Sequence, residues 1–168
     1  VLSYGTADAV ATDGGEGQAD MPAGVTDVEL TDDTALDLSA GLAGDAVTLN
    51  SGTPGEDVVI TNSDLPDFSA SIPDGTNIQG PAGWDGMIQP PTEGTPAGGN
   101  APAGFSVGST VISIGSEAGT LVFDSPVTIV LPGVTGTVGY RPSGSDTWQT
   151  ISACSGGTYD SPTPPVAP

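Results

Sequence analysis

The chain has 168 residues, among them 26 glycines, 16 prolines, one Cys, one basic residue and no His, and its formal net charge is −20. Without imidazole, and with a single thiol, the chain excludes Ser-His-Asp and Cys-His catalysis and thiolate zinc cages. Nucleic acid and anionic membranes repel a polyanion, so neither is expected as a partner, and no apolar run approaches the roughly 18 residues of a membrane-spanning helix.

Residues 1–24 are predicted to form an N-terminal arm followed by an acidic linker. The arm carries apolar side chains at Val1, Leu2, Tyr4 and Val10 ahead of a Gly/Asp-rich stretch. Such an arm is a candidate donor strand, because an extended segment can pair with an exposed sheet edge of the next molecule. Head-to-tail pairing of this kind does not close, so it makes fibres. The alternative is that the arm folds back on its own domain.

Residues 25–160 are predicted to form an all-β domain. Short alternating or β-branched runs lie between Gly, Pro and Asp turn residues, a pattern typical of an antiparallel sandwich or barrel. We expect an antiparallel β-sandwich, jelly-roll or immunoglobulin-like, or two fused sandwiches. The predicted strands are 25–30, 46–50, 58–61, 68–72, 76–79, 105–108, 110–114, 120–123, 127–131, 137–140 and 147–151.

Three segments interrupt this pattern. Residues 34–43 fit either a short helix or a strand, since their leucines alternate. Residues 90–104 are rich in Pro and Gly and predict a seam or long loop. The seam coincides with a change in charge, because residues 1–98 carry 13 Asp and 4 Glu without a basic residue, whereas the remainder carries 3 Asp, 1 Glu and one Arg. The tail, 161–168, is Pro-rich and is expected to be extended, near polyproline II.

The acidic turns are candidate cation sites. Ca²⁺ takes six to eight oxygen ligands from flexible loops, and carboxylates in Gly-rich turns provide such oxygens. The alternative is that Asp and Gly serve only as turn residues on a solvated acidic face. The candidate Ca²⁺ ligands are Asp13, Glu16, Asp20, Asp32, Asp33, Asp74 and Asn77.

Two tryptophans receive different predictions. Trp84, next to Asp85 in a turn-rich segment, is either a platform on which a sugar stacks or a large ring that plugs the open end of the core. Trp148 alternates with polar neighbours in a predicted strand and is expected in the core. No local motif indicates the paired carboxylates of a glycosidase, so we assign no catalytic residue and expect no enzymatic activity.

Two regions of the chain carry a family resemblance. The first is 71–88, SIPDGTNIQGPAGWDGMI, which resembles the pattern I-P-x-G-T-x-I-x-x-P…W-x-G-x-I. The second is 123–140, FDSPVTIVLPGVTGTVGY, followed by WQTISAC at 148–154, which resembles the pattern F-x-x-P-V-x-I-x-L-P-G…G-Y…I…C. Together, over residues 57–155, they are similar to secreted, β-rich surface modules of uncultured bacteria and archaea. The resemblance implies an extracellular, non-enzymatic β-domain and carries no catalytic residue.

The sequence therefore predicts a structural protein outside the cell. We expect a secreted chain, with its signal peptide removed, that forms an extracellular filament, pilus-like fibre or sheath by strand donation between copies. Its expected partners are copies of itself and divalent cations, Ca²⁺ among them. The alternative function is a cell-surface adhesin or carbohydrate-binding module that uses Trp84 and Asp85.

Overall fold

The computed structural model describes residues 2–3, 9–10, 12–94, 100–108, 110–134, 136–151, 153–155 and 158–160. Within these ranges the chain forms eighteen strands, one short 3₁₀ helix (Ser39–Gly41) and no α-helix. No helix in this part of the chain is long and apolar enough to cross a membrane. In chain order the strands are β1 (Leu2–Ser3), β2 (Ala9–Val10), β3 (Thr12–Gly15), β4 (Gln18–Asp20), β5 (Asp27–Leu30), β6 (Leu36–Asp37), β7 (Ala46–Asn50), β8 (Val58–Asn62), β9 (Leu65–Ile72), β10 (Thr76–Gln79), β11 (Met87–Gly94), β12 (Val111–Gly115), β13 (Val122–Phe123), β14 (Thr128–Val130), β15 (Val138–Tyr140), β16 (Gln149–Ile151), β17 (Ala153–Ser155) and β18 (Thr158–Asp160).

The strands form four sheets. A seven-stranded sheet has the order β1-β5-β8-β9-β14-β18-β17, a five-stranded sheet the order β13-β10-β7-β4-β3 and a four-stranded sheet the order β12-β11-β6-β2, while β15 pairs with β16 alone. Ten of the fourteen pairs among the described strands are antiparallel. The predicted all-β, sandwich-like fold with several antiparallel sheets is confirmed, and the described strands close no barrel.

The four parallel pairs arise because the chain winds through the three large sheets in a repeating order. From β4 to β8 it visits the five-, seven-, four-, five- and seven-stranded sheets in turn, so β4 lies parallel to β7 and β5 parallel to β8. The β8–β9 hairpin reverses this direction, and the passage from β11 to β12 reverses it again. Strands added after each reversal are consequently antiparallel to their neighbours.

One hydrophobic core joins the three large sheets. Side chains alternate between the two faces of a strand, so β7 and β8 bury every second residue. Each large aliphatic side chain that is fully buried contributes about 1.5–3 kcal/mol. The core draws Ala19, Val47, Leu49 and Ile78 from the five-stranded sheet, Val28, Leu30, Val58, Ile60, Ala70 and Ile72 from the seven-stranded sheet and Leu36 and Ile88 from the four-stranded sheet.

Strand β11 occupies part of the predicted seam. Pro90 and Pro91 lie inside this strand, and its pairing with β12 changes register between Gln89 and Thr92. Proline cannot donate to a sheet ladder and is tolerated at such a bulge, so the Pro-Pro pair marks an irregular strand here. Because Ile88 of β11 belongs to the core, residues 87–94 are part of the sandwich.

Two further segments differ from the prediction. Residues 12–24, expected within the arm and acidic linker, contain the β3–β4 hairpin, and Ala19 of β4 is fully buried in the core. Residues 34–43 contain β6 followed by the 3₁₀ helix, and both Leu36 and Leu38 are fully buried. The strand reading of the alternating leucines is the one that the structure adopts. A single turn of 3₁₀ helix follows it, and Gly41 at its end passes close to the backbone of β4.

Candidate functional site

The predicted Ca²⁺ ligands lie at three separate places. Asp13, Glu16 and Asp20 belong to the β3–β4 hairpin, where Asp13 pairs with Ala19 through the backbone. Asp32 and Asp33 lie in the turn between β5 and β6, whereas Asp74 lies in the turn before β10 and Asn77 lies in β10. Among the described residues, no group of three or more His, Cys, Asp or Glu side chains is arranged to hold a metal ion.

Several of these acidic side chains instead hold neighbouring segments. The Asn50 amide nitrogen donates to Asp20 Oδ1 over 2.7 Å, and the Asn62 amide nitrogen donates to Asp32 Oδ1. The Asn77 backbone N–H donates to the carboxylate of Asp124 over 2.9 Å. Carboxylates that accept such bonds stabilise turns and loop junctions. These bonds agree with the alternative in which the acidic residues serve as turn residues.

Asp74 is the most strongly bonded of them. Its Oδ1 accepts the Ser51 N–H and its Oδ2 accepts the Gly55 N–H, both over 2.7 Å. The bonds from Gly55 and Ser51 lower the pKa of the carboxyl below its ordinary value of 3.8. The carboxylate thus ties the loop after β7 to the turn before β10. This turn is the IPDGT segment of the family resemblance, so its Asp has a structural role here.

We expect Asp74→Ala to lower the free energy of unfolding by about 1–3 kcal/mol at pH 7, because two charge-assisted hydrogen bonds are lost. The folded-state pKa is depressed, so the stabilisation is present above pH 3.8 and is lost as the pH falls through the folded value. The difference between the wild-type chain and the variant should therefore shrink in acid. Urea denaturation at pH 7, 4 and 3 measures it, with Asp67→Ala, an exposed position on β9, as the control. A difference that is independent of pH contradicts the assignment.

Trp84 belongs to the core. It is 3% exposed, and its indole N–H donates to the Met87 carbonyl oxygen over 3.1 Å. Asp85, beside it, accepts the Met87 N–H and closes the same turn. A ring buried in this way offers no face to a sugar, so the core alternative holds for Trp84 and the sugar-stacking one does not.

The apolar arm lies partly within the described residues. Leu2 and Ser3 pair with Val28 and Glu29 of β5, in parallel. The second arm strand, β2, pairs in parallel with β6. Val1 and Tyr4 lie outside the described residues. Within one chain, the described parts of the arm therefore fold back on their own domain and add an outer strand to two sheets.

A groove lined in part by Phe68 of β9 was not predicted from the sequence. It has a volume of about 410 Å³. We call it the aromatic groove and define it by Phe68 of β9, Phe105, Leu131, Val134 and Trp148. Residues 100–108, where a strand was expected at 105–108, form a loop that supplies one of its walls.

Backbone bonds position the two most prominent aromatic side chains of the groove. The Trp148 N–H donates to the Asn100 carbonyl oxygen over 3.2 Å, and the Asn100 N–H donates to Asp146 over 2.7 Å. The Phe105 N–H closes a turn on Pro102 over 3.0 Å. Phe105 is 51% exposed, so a large apolar ring stands open to solvent at this groove.

Trp148 is the residue for which the core prediction is wrong. Its side chain is half-buried, and its indole nitrogen Nε1 is buried without a hydrogen-bond partner among the described residues. The guanidinium of Arg141 lies 5.4 Å from the centre of the ring, a cation–π contact. On strand β15, Gly139 leaves room for the ring, since a Cβ there would lie 3.2 Å from it. A buried N–H without an acceptor destabilises the folded chain by about 1–3 kcal/mol.

Tyr140, next to Arg141, carries an uncharged phenol at neutral pH. Burial raises the pKa of its phenol above the ordinary value of 10.0. Its hydroxyl therefore remains neutral, and Arg141 is the charged group nearest to it in the sequence.

Comparison of the chain with models of protein families, with curated proteins and with solved structures gives no match. The arm, the sheet edges and the aromatic groove are the features of the chain that bear on its function.

Proposed function

We propose that this chain is a structural subunit of an extracellular filament, pilus-like fibre or sheath, in which copies assemble head to tail by exchange of the N-terminal strands. The observation that carries the proposal is the position of the arm. Its strands β1 and β2 are outer strands of two different sheets, each joined to the body by two residue pairs.

Backbone pairing is what makes exchange feasible. The β1–β5 and β2–β6 contacts are strand pairs, and the hydrogen bonds of a strand pair do not depend on which molecule supplies the second strand. An arm from a neighbouring copy satisfies the same edges as the chain's own arm. Exchange of an identical element between protomers is a low-cost route to assembly, and open head-to-tail exchange produces fibres.

Among the described strands, the sheets also have free edges far from the arm. Strands β12 and β13 are the outer strands of the four- and five-stranded sheets, at the opposite side from β2 and β3. Val122 of β13 is 40% exposed. Unpaired edges of this kind are templates for a further strand. A subunit with edges on two opposite sides suits linear growth.

The composition supports a building material outside the cell. A net charge of −20 keeps neighbouring fibres apart and soluble, and divalent cations such as Ca²⁺ would screen or bridge that charge. The proposal contains no catalytic step. The single basic residue, Arg141, is followed by Pro142, and trypsin cleaves an Arg–Pro bond poorly, so the chain resists trypsin, which suits a durable outer structure.

Disulfide trapping between two differently labelled chains tests the exchange. One chain carries Ser3→Cys and the other Glu29→Cys, which are paired positions of β1 and β5, both in a Cys154→Ser background. We expect a cross-linked species containing both chains after mixing and mild oxidation, because the arm of one copy occupies the edge of the other. Mass spectrometry identifies the species, and electron microscopy of the wild-type chain should show fibres.

The matched control replaces Glu29→Cys by Asp67→Cys, an exposed position on β9 of the same sheet. It should give no specific cross-link with the Ser3→Cys chain. If Ser3 and Glu29 cross-link only when both cysteines are on one chain, and the wild-type protein remains monomeric at high concentration with Ca²⁺, the proposed function is wrong.

A cell-surface adhesin or carbohydrate-binding module is the second candidate function. The aromatic groove is the observation that favours it, since Phe105 and Trp148 offer rings on which a sugar can stack. These residues take the place of Trp84 and Asp85 in that hypothesis. A monomer that binds glycans, and loses them on Trp148→Ala, would support this function over the first.

A further inference from the structure

The aromatic groove has the chemistry of a site for a proline-rich chain. Extended polyproline II segments bind in grooves lined by aromatic side chains, where proline rings pack between the aromatic rings. Phe105 and Trp148 provide such rings, and the volume of about 410 Å³ lies in the range of about 300–1,000 Å³ that is usual for ligand pockets. Thr137, Gln149 and Thr150 also line the groove and carry hydroxyl or amide groups of the kind that bond to a peptide backbone.

The unpartnered N–H of Trp148 strengthens this assignment. A polyproline II segment makes no internal hydrogen bonds, so all its carbonyl oxygens are available as acceptors. The Trp148 Nε1 atom is a buried donor that lacks an acceptor. A small rotation of the indole ring, as the segment enters the groove, would let a carbonyl of that segment satisfy it. Binding would then remove an energetic penalty that the free chain carries.

The chain itself contains a segment of the required composition. Residues 161–168, SPTPPVAP, include four prolines and no ionisable side chain. At about 3.1 Å per residue, eight residues in polyproline II conformation extend about 25 Å, enough to lie along a groove. An uncharged segment is also the part of a −20 polyanion that a second copy repels least. Apart from Phe68, the residues that line the groove lie between Ala101 and Thr150, in the less acidic part of the sequence.

The direction of β18 favours a second copy as the source of this segment. Thr158 of β18 pairs with Val130, next to the groove residue Leu131, whereas Asp160 pairs with Thr128, farther along β14. The chain therefore leaves β18 in the direction away from the groove.

We propose that the aromatic groove binds residues 161–168 of a second copy of this chain. This contact is a second link between copies, and it rests on the proposed function in that both require self-association. It uses neither β1 nor β2, so each link can be removed while the other remains.

Sedimentation of the full chain and its variants tests the proposal. The triple variant Pro162→Ala, Pro164→Ala and Pro165→Ala should weaken association at least tenfold, whereas Ser161→Ala with Thr163→Ala, in the same tail, should leave it unchanged. Trp148→Phe keeps an aromatic ring without the N–H, and should weaken association about 3- to 10-fold, as expected for the loss of one hydrogen bond. Circular dichroism verifies that each variant is folded.

A peptide titration supplies the second measurement. The synthetic peptide SPTPPVAP, added to the wild-type chain, should change the fluorescence of Trp148 and weaken the association of the copies, while the peptide SATAAVAA should do neither. Because Trp84 also fluoresces, the same titration of Trp148→Phe should give no signal change.

Each of the following results would overturn the proposal. If Ser3 and Glu29 cross-link between copies while the tail variants and the peptide have no effect, the groove assignment is wrong and the strand exchange stands. A monomer in which the triple proline variant alters Trp148 fluorescence places the tail in its own groove. A glycan that binds at Trp148, with no response to the peptide, assigns the groove to the second candidate function instead.

Discussion

Replacing Trp84 by alanine is expected to lower the free energy of unfolding by about 3–5 kcal/mol, the usual range for removing a buried tryptophan. The side chain is 3% exposed and packs against the backbone at Gly80, where a Cβ would lie 2.4 Å from the ring. The loss is large against a total stability of about 5–15 kcal/mol for a domain. Urea denaturation followed by circular dichroism measures it, since the substitution removes one of the two tryptophan fluorophores.

Trp84→Phe is the matched variant. It retains an aromatic ring but loses the hydrogen bond from the indole N–H to the Met87 carbonyl oxygen. Its expected loss is smaller, about 1–2 kcal/mol, mainly from the carbonyl left without that donor. Equal and small losses for the two variants would contradict the role of this ring in the core.

Replacing Asn62 by alanine is expected to destabilise the fold by about 2–4 kcal/mol, because it leaves buried polar groups without partners. Asn62 is fully buried at the end of β8. Its amide nitrogen donates to Asp32 and, over 2.9 Å, to the Pro91 carbonyl oxygen, and its Oδ1 accepts the Asp64 N–H over 2.9 Å. One side chain therefore joins the turn after β5, the β8–β9 hairpin and the bulge of β11.

Two variants check this assignment by chemical denaturation. Asn50→Ala, which loses a bond to Asp20 at a partly exposed position, should cost less than about 1 kcal/mol. Asn62→Asp puts a carboxylate against the Asp32 carboxylate, so its loss at pH 7 should exceed that of alanine and should diminish in acid. If Asn62→Ala lowers the free energy of unfolding no more than Asn50→Ala does, the hydrogen bonds of Asn62 contribute little to stability.

The local pattern of the sequence predicted strands where alternation is regular. Strand β7 buries Val47 and Leu49, and β10 buries Thr76 and Ile78, and both strands were predicted with the bounds that the structure has. Strand β11 was missed, because two adjacent prolines indicate a break unless a bulge accommodates them. The parallel pairs were not predicted either, since a period of two is the same for parallel and antiparallel strands.

The candidate site was harder to predict for a related reason. Alternation shows which face of a strand a residue occupies, but it does not show whether anything covers that face. Trp148 precedes β16, which pairs only with β15 in a two-stranded sheet, outside the core shared by the three larger sheets. A ring in that position lines a groove. The one signal of the groove in the sequence was the position of Phe105 in a Pro- and Gly-rich segment, which is typical of an exposed loop.

The reversals of winding have a consequence for refolding kinetics. The β9–β14 pair brings together Ser71 and Thr128, and the β5–β8 pair brings together Asp27 and Val59, so both pairs join residues that are far apart in the sequence. Contacts between residues so distant in sequence form only after long loops have closed, and this closure costs conformational entropy before the contacts stabilise the chain. Chains dominated by such contacts fold in milliseconds to seconds rather than microseconds. A newly made chain therefore exposes incomplete sheets for a comparatively long interval, during which a chaperone can act on it.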